Sequence, residues 1–163
     1  MIVEGRAVVI PGANIDTDVM YPGQYLNIDD PEQMKPYLFE GFDPSLRDQL
    51  GDDAILVTGS NFGIGSSREH VPQAMKAWGV RAVVGPSFAR IFRRNCVNLG
   101  LLALEAPEAA AAAQAGSRIS IDTDSGEIEV DGRRFPAAPV APLVEELQSA
   151  GGLVSYAADR VGP

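Results

Sequence analysis

The chain has 163 residues, 45% hydrophobic and 21% charged, an ordinary globular balance with enough length to bury a core unaided; it reads as one domain over residues 1–163. Thirteen Lys and Arg against 22 Asp and Glu leave a net charge of -9, which argues against a nucleic-acid backbone or an anionic membrane surface as ligand. One Cys and one His exclude an internal disulfide and are too few to hold a zinc ion or an iron–sulfur cluster alone, so any such chemistry must come from a partner.

The first residues, Met1-Ile2-Val3-Glu4-Gly5-Arg6, lack the basic-then-apolar pattern of a secretory signal, and no apolar run is long enough for a membrane span. A single unpaired cysteine also fits a reducing cytoplasm, the location expected for this chain. Residues 3–10 are strand-like and stop at Pro11-Gly12-Ala13-Asn14, a turn signal. A polar loop follows, through Asp16, Asp18 and Tyr21-Pro22-Gly23. Residues 29–49 carry Pro31, Pro36 and Pro44 among scattered aromatics; they read as short helical turns in a long excursion of the kind kept for binding.

From residue 54 the pattern changes. Ala54-Ile55-Leu56-Val57 is a short apolar run, read as a buried strand. A glycine-rich turn leads into a helix marked by Val71, Ala74, Met75 and Trp78 and ended by Gly79. Residues 81–85 form a second strand, 88–99 a second helix closed by Gly100, and 101–104 a third strand. This alternation predicts a parallel sheet with right-handed crossovers. Residues 107–115 are alanine-rich and read as a surface helix. Residues 119–130 alternate around Asp124-Ser125-Gly126, a hairpin signature. Residues 143–147 are helical and stop at Gly151-Gly152.

The segment richest in chemistry is Gly59 to His70, where a glycine-rich turn leaves a buried strand at the edge where parallel sheets bind ligands. Gly63 and Gly65 let backbone amides approach an anion closely. The helix start adds partial positive charge, and Ser66, Ser67 and Arg68 add two hydroxyls and a guanidinium suited to a carboxylate. Ser66-Ser67-Arg68-Glu69 also matches a structural capping box. Pro72 argues for a later helix start, which leaves Ser66 and Ser67 in the loop. Gly63-x-Gly65 alone is neither a dinucleotide fingerprint nor a P-loop. His70 near Ser67 lacks the nucleophile-elbow context of a hydrolase. Cys96, among apolar neighbours in the second helix, reads as a buried hydrophobe. Asp16 and Asp18 read as turn-formers or as carboxylates for a cation.

Two blocks are specific: Gly65-Ser66-Ser67-Arg68-Glu69-His70, and Gly85-Pro86-Ser87-Phe88-Ala89-Arg90-Ile91-Phe92-Arg93-Arg94-Asn95. They resemble the aconitase C-terminal swivel-domain family. Asn14-Ile15-Asp16-Thr17-Asp18 and Tyr21-Pro22-Gly23-Gln24-Tyr25-Leu26 resemble the N-terminal block of the separate small subunits in that family. The resemblance implies an α/β fold in three β/β/α layers, with a parallel central sheet and a smaller antiparallel sheet that takes the hairpin and the N-terminal strand. It implies a hydro-lyase isomerising 2-isopropylmalate and 3-isopropylmalate in leucine biosynthesis, with homoaconitate or 2,3-dimethylmalate enzymes as alternatives. A non-catalytic anion-binding module of the same fold is a further alternative.

The resemblance also implies that this chain binds no cofactor, that a large-subunit partner carries a [4Fe–4S] cluster, and that the substrate is a small hydroxy-dicarboxylate. The isolated chain is compatible with self-association. Ser66 matches the family's serine base, Ser67 and Arg68 its carboxylate-binding residues, and Asp18 its active-site aspartate. The loop after Tyr25-Leu26 discriminates substrates in the family, with an apolar residue for isopropylmalate and an arginine for homoaconitate. Asn27, followed by Ile28, departs from both patterns and disfavours a clamp on a third carboxylate.

Overall fold

The computed structural model describes residues 1–161. Its first strand, β1 (Ile2–Val9), changes character along its length. Residues 2–4 alternate in burial, as a strand with one wet face does; Ala7 and Val8 are both buried, as in a strand covered on two faces. The pairing follows that change. Residues 6–9 pair parallel with β2 (Ala54–Val57), and residues 2–6 pair antiparallel with β5 (Arg118–Asp122).

Between β1 and β2 runs the long excursion. It holds α1 (Thr17–Met20), α2 (Pro31–Met34) and short 3-10 turns at Gly23–Tyr25, Lys35–Tyr37 and Pro44–Gln49. Asp16, Asp30 and Asp43 each accept a hydrogen bond from a backbone N–H two residues on, so α1, α2 and the turn at Pro44–Gln49 each start on their own cap. Then come α3 (His70–Ala77), β3 (Ala82–Gly85), α4 (Arg90–Asn98), β4 (Leu102–Glu105) and α5 (Pro107–Ala112). After β5 follow β6 (Glu127–Val130), β7 (Arg133–Pro136), α6 (Pro142–Ala150) and α7 (Leu153–Val161).

The seven strands lie in one sheet of order β4-β3-β2-β1-β5-β6-β7. The parallel and antiparallel parts expected from the sequence are both present, and the swivel-type α/β class stands. The expectation of a separate second sheet holding the N-terminal strand is corrected: β1 is the shared central strand. Its eight residues are long enough to give one half to each neighbour, which a four-residue strand such as β2 is not. Two apolar clusters fill the two faces. Val8, Leu56, Val83 and Ala103 meet α3, α4 and the excursion; Ala7, Ile55, Val84 and Leu104 meet α5 and the inward side chains of β5 and β6.

α1 lies where the sequence reading had a polar loop, and two elements of the C-terminal half were absent from that reading. β7 is polar, Arg-Arg-Phe-Pro, and pairs because Asp131 (φ 48°) and Gly132 (φ 84°) close a tight hairpin. α7 resumes after the left-handed Gly151 that stops α6 and buries none of its side chains. Phe88 precedes α4 instead of opening it; it bridges to Phe62, tying the β3–α4 connection to the β2–α3 loop.

Candidate active site

The β2–α3 loop leaves the sheet beside the chain emerging from β1. Gly63 donates its N–H to Ile15 O at 2.9 Å, Thr17 N–H returns to Ile64 O at 2.9 Å, and Thr17 Oγ1 donates to Ser66 O at 2.7 Å. On the other flank, Ala89 N–H donates to Phe62 O and Asn61 N–H to Ser87 Oγ. The loop is thus laced to both neighbouring connections.

Two of its glycines have positive φ, 88° at Gly63 and 97° at Gly65. A Cβ at Gly63 would overlap the Phe92 side chain, and one at Gly65 the Asp16 carboxylate, so only glycine lets the loop lie this close to its supports. This corrects the sequence reading of Gly63 as an anion-loop residue: its N–H is already committed to Ile15 O. α3 begins at His70 with Glu69 as an N-cap that makes no side-chain bond, so Ser66 is not the cap and the Ser66–Glu69 box is not used. Pro72 falls in the first turn, where a missing N–H is harmless.

Ser66 Oγ donates to Asp18 Oδ1 at 2.5 Å. Arg68 Nε lies 3.1 Å from the same oxygen, and its Nη1 donates to Tyr21 O at 2.7 Å. The Nε–Asp18 contact is an ion pair off the hydrogen-bonding direction, so Nε remains a buried donor with no hydrogen bond of its own. Asp18 is set by α1, where Asp16 Oδ1 accepts the Asp18 N–H at 2.7 Å. A hydroxyl, a carboxylate and a guanidinium separated by up to 50 residues therefore meet at one point.

Beside them opens a cavity of about 580 Å³. Ser66, Ser67 and Arg68 form its polar side; Leu26, Ile28 and Met34 give it an apolar side. Ser67 is exposed. Asn27 is also exposed and does not line the cavity, whereas its neighbours Leu26 and Ile28 do. The structure therefore brings together Ser66, Ser67, Arg68 and, through Ser66, Asp18, but leaves Asn27 outside. Leu26 and Met34 were missed as lining residues; the proline-broken excursion marked their region but no local pattern marked them individually.

The aromatic residues brace this wall. Tyr25 stacks on Tyr37 at 3.9 Å, and Tyr21 Oη donates to Tyr25 O at 2.9 Å. Burial raises the Tyr21 phenol above its ordinary pKa. Cys96 is enclosed in the core and burial pushes its thiol well up, so it is no nucleophile. Among the described residues no three His, Cys, Asp or Glu gather to hold a metal. With Cys96 enclosed and His70 bonded to Leu26 O, this chain's residues do not fit as ligands of an iron–sulfur cluster.

The family model of the aconitase C-terminal domain matches residues 13–109, the span that holds every residue of the cavity. A 3-isopropylmalate dehydratase small subunit of Moorella thermoacetica is 47% identical over 99% of this chain and 98% of its own length. A 2,3-dimethylmalate dehydratase small subunit of Eubacterium barkeri is 43% identical over 89% of this chain and 90% of its own. The crystal structure of a 3-isopropylmalate dehydratase from Methanocaldococcus jannaschii superposes with a TM-score of 0.89 at 36% identity, covering 99% of this chain and 96% of that one. On its sequence, its fold and the loop it builds, the chain belongs to the aconitase C-terminal domain family, among the small subunits of 3-isopropylmalate dehydratases and their relatives.

Proposed function

We propose that this chain is the small subunit of a hydro-lyase that interconverts 2-isopropylmalate and 3-isopropylmalate in leucine biosynthesis, and that it works only when paired with a large subunit. The observation that carries this is the Ser66–Asp18–Arg68 convergence facing an apolar wall across one cavity. A hydroxy-dicarboxylate with an alkyl branch needs both kinds of surface. In this reading the whole chain, residues 1–163, acts as one swivel domain in the cytoplasm. Among the described residues no helix is long and apolar enough to cross a membrane.

Dehydration removes a proton from one carbon and a hydroxyl from its neighbour. Ser66 Oγ is the base for the proton. A serine hydroxyl is a poor base in water, but here its own proton already points along a 2.5 Å bond to Asp18. As Oγ accepts the carbon proton, the hydroxyl proton passes to Asp18, and no free alkoxide has to form. Rehydration on the adjacent carbon reverses the relay. Positioned acid–base help of this kind is worth about 10²–10⁴ in rate. The Arg68 guanidinium, which lines the cavity, and the Ser67 hydroxyl bind substrate carboxylate, and the Nη1 bond to Tyr21 O holds that guanidinium in place.

The departing hydroxyl needs an acid. The [4Fe–4S] cluster expected on the large subunit supplies Lewis-acid chemistry there, and no residue of this chain is assigned to it. Leu26, Ile28 and Met34 favour an alkyl substituent, and the wall offers no cation for the third carboxylate of a homoaconitate-type substrate. The Eubacterium barkeri relative keeps 2,3-dimethylmalate as the second reading.

The test is a substrate panel on the purified chain with and without its large subunit. The proposal expects no turnover by the chain alone, and in the pair a preference for 2-isopropylmalate over 2,3-dimethylmalate of about tenfold or more. Turnover by the isolated chain, or a preference for dimethylmalate or homoaconitate, overturns it.

A further inference from the structure

His70 is the chain's only histidine, and nothing in the proposed proton relay uses it. It is the first residue of α3, directly after the Ser66–Arg68 loop, yet its ring reaches back 44 residues, to within 3.0 Å of the Leu26 carbonyl oxygen. A carbonyl can only accept, so Nε2 carries the proton and the ring is held in that tautomer. The ring also stacks on Tyr21, with centroids 5.0 Å apart and planes 27° from parallel.

Tyr21 is fully buried, and its carbonyl takes the Arg68 Nη1 bond. Two bonds from one short segment therefore fasten the wall segment at two points: Arg68 at Tyr21 and His70 at Leu26. Among the described residues no side-chain hydrogen bond secures the wall between Leu26 and the Asp30 cap of α2; Ile28 is held by its N–H to Tyr25 O at 3.2 Å and by packing on the core.

We infer that His70 is a positioning residue: by clamping Leu26 O it fixes the distance between the Ser66–Arg68 clamp and the Leu26–Ile28 wall, and so sets which 2-alkyl substituent the pocket accepts. The inference rests on the function proposed above. His70 borders the same cavity, but its one hydrogen bond goes to Leu26 O and it makes none to Ser66 or Asp18, so loosening the wall acts on discrimination before it acts on the proton relay. One methylene in an apolar pocket is worth about 10–200-fold in selectivity, so a wall displaced by a fraction of that size is measurable.

The test compares His70→Phe, which keeps an aromatic ring on Tyr21 but has no donor, with His70→Gln, which restores an N–H donor. Each is assayed as the complete complex with the large subunit, on 2-isopropylmalate and 2-methylmalate. For His70→Phe the ratio of kcat/KM between the two substrates is expected to fall about five- to tenfold, carried by KM for 2-isopropylmalate, with kcat within about twofold. His70→Gln is expected to recover most of that ratio. An unchanged ratio in His70→Phe, or an equal loss of kcat on both substrates, overturns the inference.

Wild-type turnover separates the two claims. If the wild-type complex is silent on 2-isopropylmalate, the functional reading fails, and the clamp is judged on the chain itself by hydrogen exchange. The Leu26 and Ile28 amides are expected to exchange about fivefold faster in His70→Phe than in wild type or His70→Gln, at similar melting temperatures. Equal exchange in all three chains overturns the clamp.

Discussion

The two halves of the sheet, joined along β1, differ in what their connections can build. A parallel pair must be joined by a crossover, so the chain leaving β1 spends more than 40 residues before entering β2, and that leaving β2 passes through a loop and α3 before β3. Those two connections supply every residue lining the cavity. The antiparallel half closes in tight turns at Gly126 and at Asp131-Gly132, which leave no chain for a site. Volume does not reverse this. A larger opening of about 690 Å³ borders β1 and β5, but its charges are largely answered locally, Arg6 by Asp53 at 3.3 Å and by Gln49 O, Arg81 by Asp52 O. Ligand sites follow the long connections at the ends of parallel strands, and the hairpin half completes β1 and one face of the core.

That contrast can be broken by substitutions on either side. On the parallel side, Asp18→Asn keeps the shape of the side chain but cannot take the Ser66 proton. It is expected to lower kcat of the complex about a hundredfold or more with little change in melting temperature. A mutant within about threefold of wild type removes Asp18 from the relay. On the antiparallel side, Ile128 is fully buried and lies far in sequence from the site. Ile128→Ala is expected to cost about 2–5 kcal/mol in denaturant unfolding while the folded complex keeps its kcat/KM. A parallel loss of kcat/KM shows that the halves are coupled through β1.

The smallest effect belongs to the brace under the wall. Tyr21→Phe removes the bond to Tyr25 O and is expected to cost about 0.5–1.5 kcal/mol. The phenol's pKa is raised in the fold, so the native state holds its proton where the unfolded chain loses it. Its contribution is intact below pH 10, the ordinary tyrosine value, and fades as pH rises through the folded pKa. Melting curves between about pH 8 and 11 should show a shallower alkaline loss in Tyr21→Phe than in wild type; superimposable losses contradict that contribution.

Legibility in the sequence follows the same divide. β2, β3 and β4 are continuous apolar runs because both their faces are covered, and such runs announce themselves. β7 carries no such run. Its pairing is written in the turn Asp131-Gly132, a signal present in the sequence but attached to two arginines that read as surface. The shared role of β1 was half written, in the switch from alternation to an apolar run at Ala7. Within the site, Ser66, Ser67 and Arg68 are legible because glycine spacing and Pro72 together push the helix start past them. Asp18 looks locally like a turn former, and its partnership with Ser66 spans 48 residues. Asn27 is exposed beside the cavity, and it is the residues on either side of it, Leu26 and Ile28, that line the wall.

The central claim is that Ser66 is the base this chain brings to a shared active site. The most direct measurement is turnover of 2-isopropylmalate by the complex carrying Ser66→Ala, alongside its melting temperature and its assembly with the large subunit. The account predicts a loss of at least about a hundredfold in kcat with folding and assembly unchanged. Turnover close to wild type in that complex would contradict it.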